Sequence, residues 1–209
     1  MEILTIEEAA WHLRNGGIIA YPTETVYGLG AIIYETEAIS RLKKVKGIPS
    51  TKPLSVLISK NRMSMLNELV PSFCPIAQRL AKFYWPGPLT IVHEARSTVP
   101  ILVTGGTGEI GIRCSPHPGL NKLVDMVGHP IITTSANPTR KPPATTYEEV
   151  FSYFEDRIDG VLLFDEGDPS VSLAASNVPS TVVKVDRRNI EILREGAIPR
   201  EDLLRKIYD

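Results

Sequence analysis

The sequence predicts an α/β (α+β) fold, a mostly mixed β-sheet with flanking helices, built as one domain over residues 1–209. Three observations carry this. Helical and strand patterns are interspersed along the chain. The last strands instead follow one another directly, which a regular doubly wound sheet would not show. A 43% hydrophobic content over 209 residues supports a sizeable core, and no repeat, low-complexity block or linker divides it.

The elements follow in order. Thr5 and Glu8 open a first helix as a capping box, T-x-x-E, in which each side chain satisfies a free amide. Ile6, Ala9, Ala10 and Leu13 form its apolar stripe, and Gly16 and Gly17 end it. "IIAY" is a short buried strand. Residues 36–46 read as a helix with Thr36 as cap and Ile39, Leu42 and Val45 on one face. "PLSVLI" is a strand. Helical patterns cover 61–70 and 75–84, the latter with Pro75 in its first turn. "WPGPLTIVHEA" turns into a strand, and "TGGTGE" leads into the strand "EIGIRC". Residues 118–127 are helical, and "PIITTSA" is a strand entering a polar loop. Thr146 and Glu149 make a second capping box before a helix ending near Phe154. "GVLLF", "STVVKVD" and "IEILR" are strands, and residues 200–207 a short helix.

Composition excludes several classes. Formal net charge is -1 with 22% charged residues, so any anion site must come from local clustering. Cys74 and Cys114 lie far apart, without a C-x-x-C, and the four histidines lack metal-ligand spacing. This argues against structural zinc and against a disulfide framework, and points to a reducing, cytoplasmic setting. The N-terminal segment lacks an apolar signal core, and no apolar run approaches ~20 residues, so no membrane span is expected.

Nucleotide and hydrolase signatures are missing: no Walker A loop, no G-x-G-x-x-G opening a helix after the first strand, no G-x-S-x-G. "GGTGEIG" lacks the lysine of a phosphate cradle and reads as a connection. Other stretches do suggest binding. "YPTETVYGLG" is too polar for a core and reads as the wall of a site. The run from Arg41 to Lys52 is basic without an acidic residue, and Lys46 and Lys52 are placed on a loop after a helix end. "TTSAN", Thr133 to Asn137, carries hydrogen-bonding side chains where an apolar strand stops. Ser180 and Thr181 sit at a strand entrance, and Arg113 and Arg194 near strand ends. Each feature alone also fits a bland role: a solvated helix face, turn and cap residues, surface ion pairs. Cys114 reads as a small buried residue.

In order, "GGIIAYPTETVYGLGA", "KVKGIPSTKPLSVLI", "WPGPLTIV", "IGIRCSPHP", "PIITTSANPTRKPPATT" and "STVVKV…ILREGAI" closely resemble the YrdC/TsaC family, the L-threonylcarbamoyladenylate synthases. The resemblance covers about residues 8–198. It implies a YrdC-like twisted sheet around a large, positively charged cavity. It also implies a reaction: L-threonine, bicarbonate and ATP give threonylcarbamoyl-AMP and diphosphate, for modification of adenosine 37 in tRNA. By resemblance Thr25, Arg113, Thr133 and Ser180 would bind threonine, with Arg113 on its carboxylate. Ser135, Asn137 and Arg194 would hold ATP. Lys46 and Lys52 would face the phosphates and carry the catalytic charge. Mg²⁺ would ride mainly on the ATP phosphates, with no protein metal motif. The chain would be a monomer or homodimer of the short form, and tRNA and other pathway proteins are its implied partners.

Three positions depart from the family pattern. Ile48 stands where K-x-R places an arginine, and a lost charge-assisted contact of ~1.5–3 kcal/mol costs roughly tenfold or more in rate. Pro143 replaces a common serine, and Glu109 a threonine near ATP. Two other readings follow. A nucleic-acid-binding module would use the same basic run for double-stranded RNA or tRNA. A divergent paralogue would take another carbamoyl or acyl substrate.

Overall fold

The computed structural model describes residues 1–164 and 178–208. Its first half runs β1 (Glu2–Leu4), α1 (Ile6–Arg14), β2 (Ile19–Tyr21), β3 (Gly28–Gly30), α2 (Thr36–Lys46) and β4 (Ser55–Ile58). A 3-10 stretch, Lys60–Met65, then leads into α3 (Leu66–Leu69) and α4 (Pro75–Tyr84). Next come β5 (Leu89–Glu94), α5 (Ile101–Thr104), β6 (Glu109–Cys114), α6 (Pro118–Val127) and β7 (Ile131–Ser135). The remainder is α7 (Tyr147–Phe154), β8 (Gly160–Leu162), β9 (Thr181–Val185), β10 (Ile190–Arg194) and α8 (Arg200–Tyr208).

Among the described residues ten strands form one sheet in the order β1-β8-β2-β3-β7-β4-β6-β5-β9-β10. The pairs β1/β8, β2/β8, β4/β6 and β5/β9 are parallel and the rest antiparallel, the mixed sheet that the sequence predicts. Side chains alternate across it. On β5 and β9, Leu89, Ile91, Val183 and Val185 face a core with Ala77 and Leu80 of α4 and Leu203 of α8. A larger core joins α1, α2 and α6 to the strands around β7. The opposite-parity residues Thr90 and Val182 are left for another use.

The first capping box forms as expected, with Thr5 and Glu8 bonded in both directions. The second is incomplete. Thr146 accepts from the Glu149 amide at 3.3 Å, but the Glu149 carboxylate reaches one residue further back, to the Thr145 amide at 2.6 Å. Thr36 is the first residue of α2 rather than its cap; Glu35 holds that position without a side-chain bond. The 61–70 pattern splits because Arg62 leaves helical geometry. Elsewhere, element ends shift by one or two residues.

Three elements lie outside the sequence reading: β1, α5 and β3. The last sits inside "YPTETVYGLG". The buried Tyr21 ring lies across Gly28 and Gly30, where an added Cβ would stand 2.8 and 2.6 Å from it. Its hydroxyl donates to the Ile132 carbonyl at 3.0 Å. The two glycines therefore let β3 pass beneath an aromatic ring and pair with β7.

Candidate functional site

A cavity of about 730 Å³ opens against the middle of the sheet. One wall is a single row across four strands. Arg113 of β6 pairs in register with Thr90 of β5, Thr90 with Val182 of β9, and Val182 with Arg194 of β10. All four residues line the cavity. Strands stand ~4.8 Å apart, and a register shift between Ile192 and Arg194 brings Arg194 opposite Val182, so the row sets two guanidinium groups along one wall.

Hydrogen bonds fix this wall. Arg113 is ion-paired through Nη2 with Glu24, and both side chains are about nine-tenths buried. The other Glu24 oxygen accepts from Ser115 Oγ at 2.7 Å. Among the described residues the buried Arg113 Nε has no partner, so the guanidinium keeps a donor in hand. Arg194 donates from Nη2 to the Ser180 carbonyl at 2.8 Å and to its Oγ at 3.1 Å. Ser180 Oγ also meets Thr90 Oγ1 at 3.0 Å. Burial, then repulsion from Arg113, pulls the Arg194 pKa down. A turn at 23–26 brings in Thr25, whose amide donates to Thr23 Oγ1 at 3.0 Å.

The facing wall consists of a strand end, a helix end and a loop. Thr133 and Ser135 of β7 line it, as do Asn137 and Thr139 beyond. Ser135 Oγ donates to Asn137 Oδ1 at 2.5 Å, and Asn137 Nδ2 to the Lys141 carbonyl at 2.7 Å. Lys46 is not a loop residue, as its sequence position suggests: it is the last residue of α2, with Gly47 in the left-handed region after it. Its buried ammonium donates to the carbonyls of Ser135 and Asn137. Burial, then repulsion from Lys52, lowers its pKa to about 8. Lys52 lines the cavity from the following loop.

The basic run therefore divides by function. Lys43 is buried and donates to the carbonyls of Ser50 and Lys52 at 2.5 and 2.7 Å, bracing the loop. Arg41 pairs with Asp159 at 3.1 Å, away from the cavity lining.

All nine residues singled out by the sequence line this one cavity: Thr25, Lys46, Lys52, Arg113, Thr133, then Ser135, Asn137, Ser180 and Arg194. Ile48 and Pro143 line it too. Glu109 does not. It starts β6, four residues before Arg113, and its carboxylate meets Lys184 at 2.6 Å. Glu109 therefore does not stand in the cavity lining among the described residues. Sequence reasoning missed Thr90, Arg140 and the Glu24–Arg113 pair. Thr90 left a signal, as a hydroxyl within the apolar start of its strand, Leu89 to Val92. Cys114 is buried and its thiol is pushed up to about 11, which suits packing rather than reactivity.

Among the described residues the lining holds five cationic residues and no carboxylate, in a chain of net charge -1. Among the described residues no group of three His, Cys, Asp or Glu side chains is placed to hold a metal. No described helix is long and apolar enough to cross a membrane.

The family model for Sua5, YciO and YrdC, described as "Telomere recombination", matches residues 12–196. The chain belongs to this family. It is 34% identical over 199 residues to the threonylcarbamoyl-AMP synthase of Pyrococcus abyssi, covering 95% of this chain and 56% of that protein. It is 36% identical over 157 residues to the synthase of Halorhodospira halophila, covering 75% of this chain and 81% of that one. The crystal structure of P. abyssi Sua5 complexed with L-threonine superposes with a TM-score of 0.87 at 34% identity, over 97% of this chain and 57% of that chain. The chain thus spans little more than half the length of the P. abyssi relative.

Proposed function

We propose that this chain is a threonylcarbamoyl-AMP synthase, using L-threonine, bicarbonate and ATP. The observation that carries the reading is one cavity with hydroxyls and cations on both walls and, among the described residues, no carboxylate in its lining. Its volume lies within the range of small-molecule sites. Two anions and a triphosphate need that balance. The relatives' names supply the reaction class.

Threonine takes the strand wall. Its carboxylate meets the Arg113 donors that Glu24 leaves free, Thr25 and Ser180 surround its polar groups, and Thr133 meets them from the facing wall. ATP lies along the facing wall, with Ser135 and Asn137 on the nucleotide and Lys46 and Lys52 on the phosphates, while Arg194 meets the nucleotide from the strand wall. The threonine amine attacks the carbon of bicarbonate, losing water, and gives a carbamate. A carbamate oxygen then attacks the α-phosphorus, the bond to the bridging oxygen breaks, and diphosphate leaves with that electron pair. No protein nucleophile is required. The chain contributes positioning and a fixed field of positive charge where negative charge builds. The residues present do not form a protein-held Mg²⁺ site, since no carboxylate lines the described cavity. Mg²⁺ is proposed as a companion of the ATP phosphates, held by substrate oxygens and water. The product would serve tRNA modification with other proteins.

The test is threonine-dependent diphosphate release by the purified chain. Release requiring ATP, L-threonine and bicarbonate together is the expected result. No release at any Mg²⁺ concentration rejects the proposal.

A further inference from the structure

Pro138 to Lys141 form a turn, closed by the Lys141 amide donating to the Pro138 carbonyl at 3.1 Å. Arg140 fills its third position with φ 70, the left-handed region that favours glycine or asparagine. Among the described residues, Glu155 is the one other non-glycine residue with positive φ. The turn is fastened on two sides. Thr139 donates through its amide and Oγ1 to the Lys46 carbonyl at 2.9 and 3.0 Å, and through Oγ1 to the Gly47 carbonyl at 2.9 Å. Asn137 Nδ2 holds the Lys141 carbonyl from within. The backbone of Arg140 is therefore tied beside the C-terminus of α2, where the chain runs from Lys46 to Ile48.

Arg140 lines the cavity, and among the described residues it has no acidic partner, unlike Arg113 with Glu24. Glycine would fit this turn without strain. An arginine here strains the backbone and adds a cation to the loop wall, where the neighbouring Ile48 side chain adds none. A planar guanidinium gives two parallel donors to a phosphate. We propose that Arg140 is a nucleotide-binding residue that contacts the ATP phosphates beside Lys46. The inference rests on the synthase reading for the identity of the nucleotide.

The experiment is calorimetric titration of the full chain with ATP alone and with L-threonine alone, for the wild type, Arg140→Gly and Arg140→Asn. Both substitutions suit a left-handed backbone. Loss of one charge-assisted contact predicts ATP binding about tenfold weaker in each variant. Threonine affinity stays the same, and the unfolding temperature stays level or rises. A smaller salt dependence of ATP binding accompanies the loss. Unchanged ATP affinity in both variants overturns the inference. So does a joint fall in ATP affinity, threonine affinity and unfolding temperature, which marks a structural role. Diphosphate release separates the two proposals. A wild type that binds ATP through Arg140 yet releases none keeps this inference and loses the synthase. A turning-over wild type matched by Arg140→Gly at sub-saturating ATP does the reverse.

Discussion

Arg113 and Arg194 stand on one register row of a sheet, whereas Lys46, Asn137 and Arg140 stand on a helix end and a turn. On the strand wall each cation is already engaged by a side chain or carbonyl: Arg113 by Glu24, Arg194 by Ser180. On the loop wall Lys46 is engaged by two backbone carbonyls and Arg140, among the described residues, by no acidic group. Ladder pairing fixes the first wall to within a residue, since a one-position slip would turn Arg113 into the core. The second wall is held by a few local bonds, and its side chains can change without moving the sheet. The departures Ile48 and Pro143 both fall there. If the proposed function holds, threonine recognition rests mainly on the sheet, and phosphate recognition on side chains held by local bonds.

The largest effect should come from breaking the strand wall. Arg113→Met removes half of a buried ion pair and leaves the Glu24 carboxylate uncompensated, at a cost of about 3–5 kcal/mol. Urea denaturation should show this, with threonine binding lost in the same variant. The double variant Glu24→Gln/Arg113→Met should recover much of the stability and none of the threonine affinity. A loss under ~1 kcal/mol for the single change, as for a surface pair, would end the distinction between the walls.

A smaller effect is expected from Lys46→Met. It removes a charge from the nucleotide wall and leaves the Ser135 and Asn137 carbonyls without their donor, costing about 1–3 kcal/mol of stability. ATP affinity should fall roughly tenfold or more. The pH dependence is sharper. With a pKa near 8, Lys46 loses its charge as pH rises through that value, so wild-type ATP affinity should decline there. Stability moves the other way. Between about 8 and the ordinary lysine value of 10.5, the unfolded chain holds a proton that the folded chain has released. Folding therefore gains as pH rises across that window. Both slopes should be missing in Lys46→Met.

Much of the fold was legible because local signals sufficed. Pro75 and the Thr5–Glu8 box mark helix starts, and the strand "EIGIRC", with Ile110, Ile112 and Cys114 alternating, needs no partner to be recognised. β1 was not legible: three residues become a strand only through pairing with β8, far along the chain. β3 was hidden more deeply, since "GLG" argues against a strand until the Tyr21 ring above it is seen. The nine site residues were legible through ordered motifs, yet their spatial relation was not. Glu24 and Arg113 lie 89 positions apart, and the row from Arg113 to Arg194 depends on strand order. Arg140 sat in plain view within "NPTRKPP". Only its positive φ and its place on the cavity wall single it out.

The smallest effect separates the walls most cleanly. Thr139 Oγ1 is the bond that fastens the turn to α2, donating to the carbonyls of Lys46 and Gly47. Thr139→Val keeps the shape and the amide bond and removes only the hydroxyl. One lost hydrogen bond at a half-exposed site costs about 1 kcal/mol, and a little more where a carbonyl is left unpaired. The turn should then hold Arg140 and Asn137 less firmly. ATP affinity falls a few-fold, because positioning is lost and no charge is removed. Threonine affinity should not change, because Arg113, Thr25 and Ser180 are held by the sheet and by the turn at 23–26. Calorimetry with each ligand, beside urea denaturation, checks all three statements. Equal weakening of threonine and ATP would mean that the two walls are coupled through β7, which reaches the strand wall by pairing with β4 and, through it, β6. The cavity would then respond as one body, and the loop could not vary independently of the sheet.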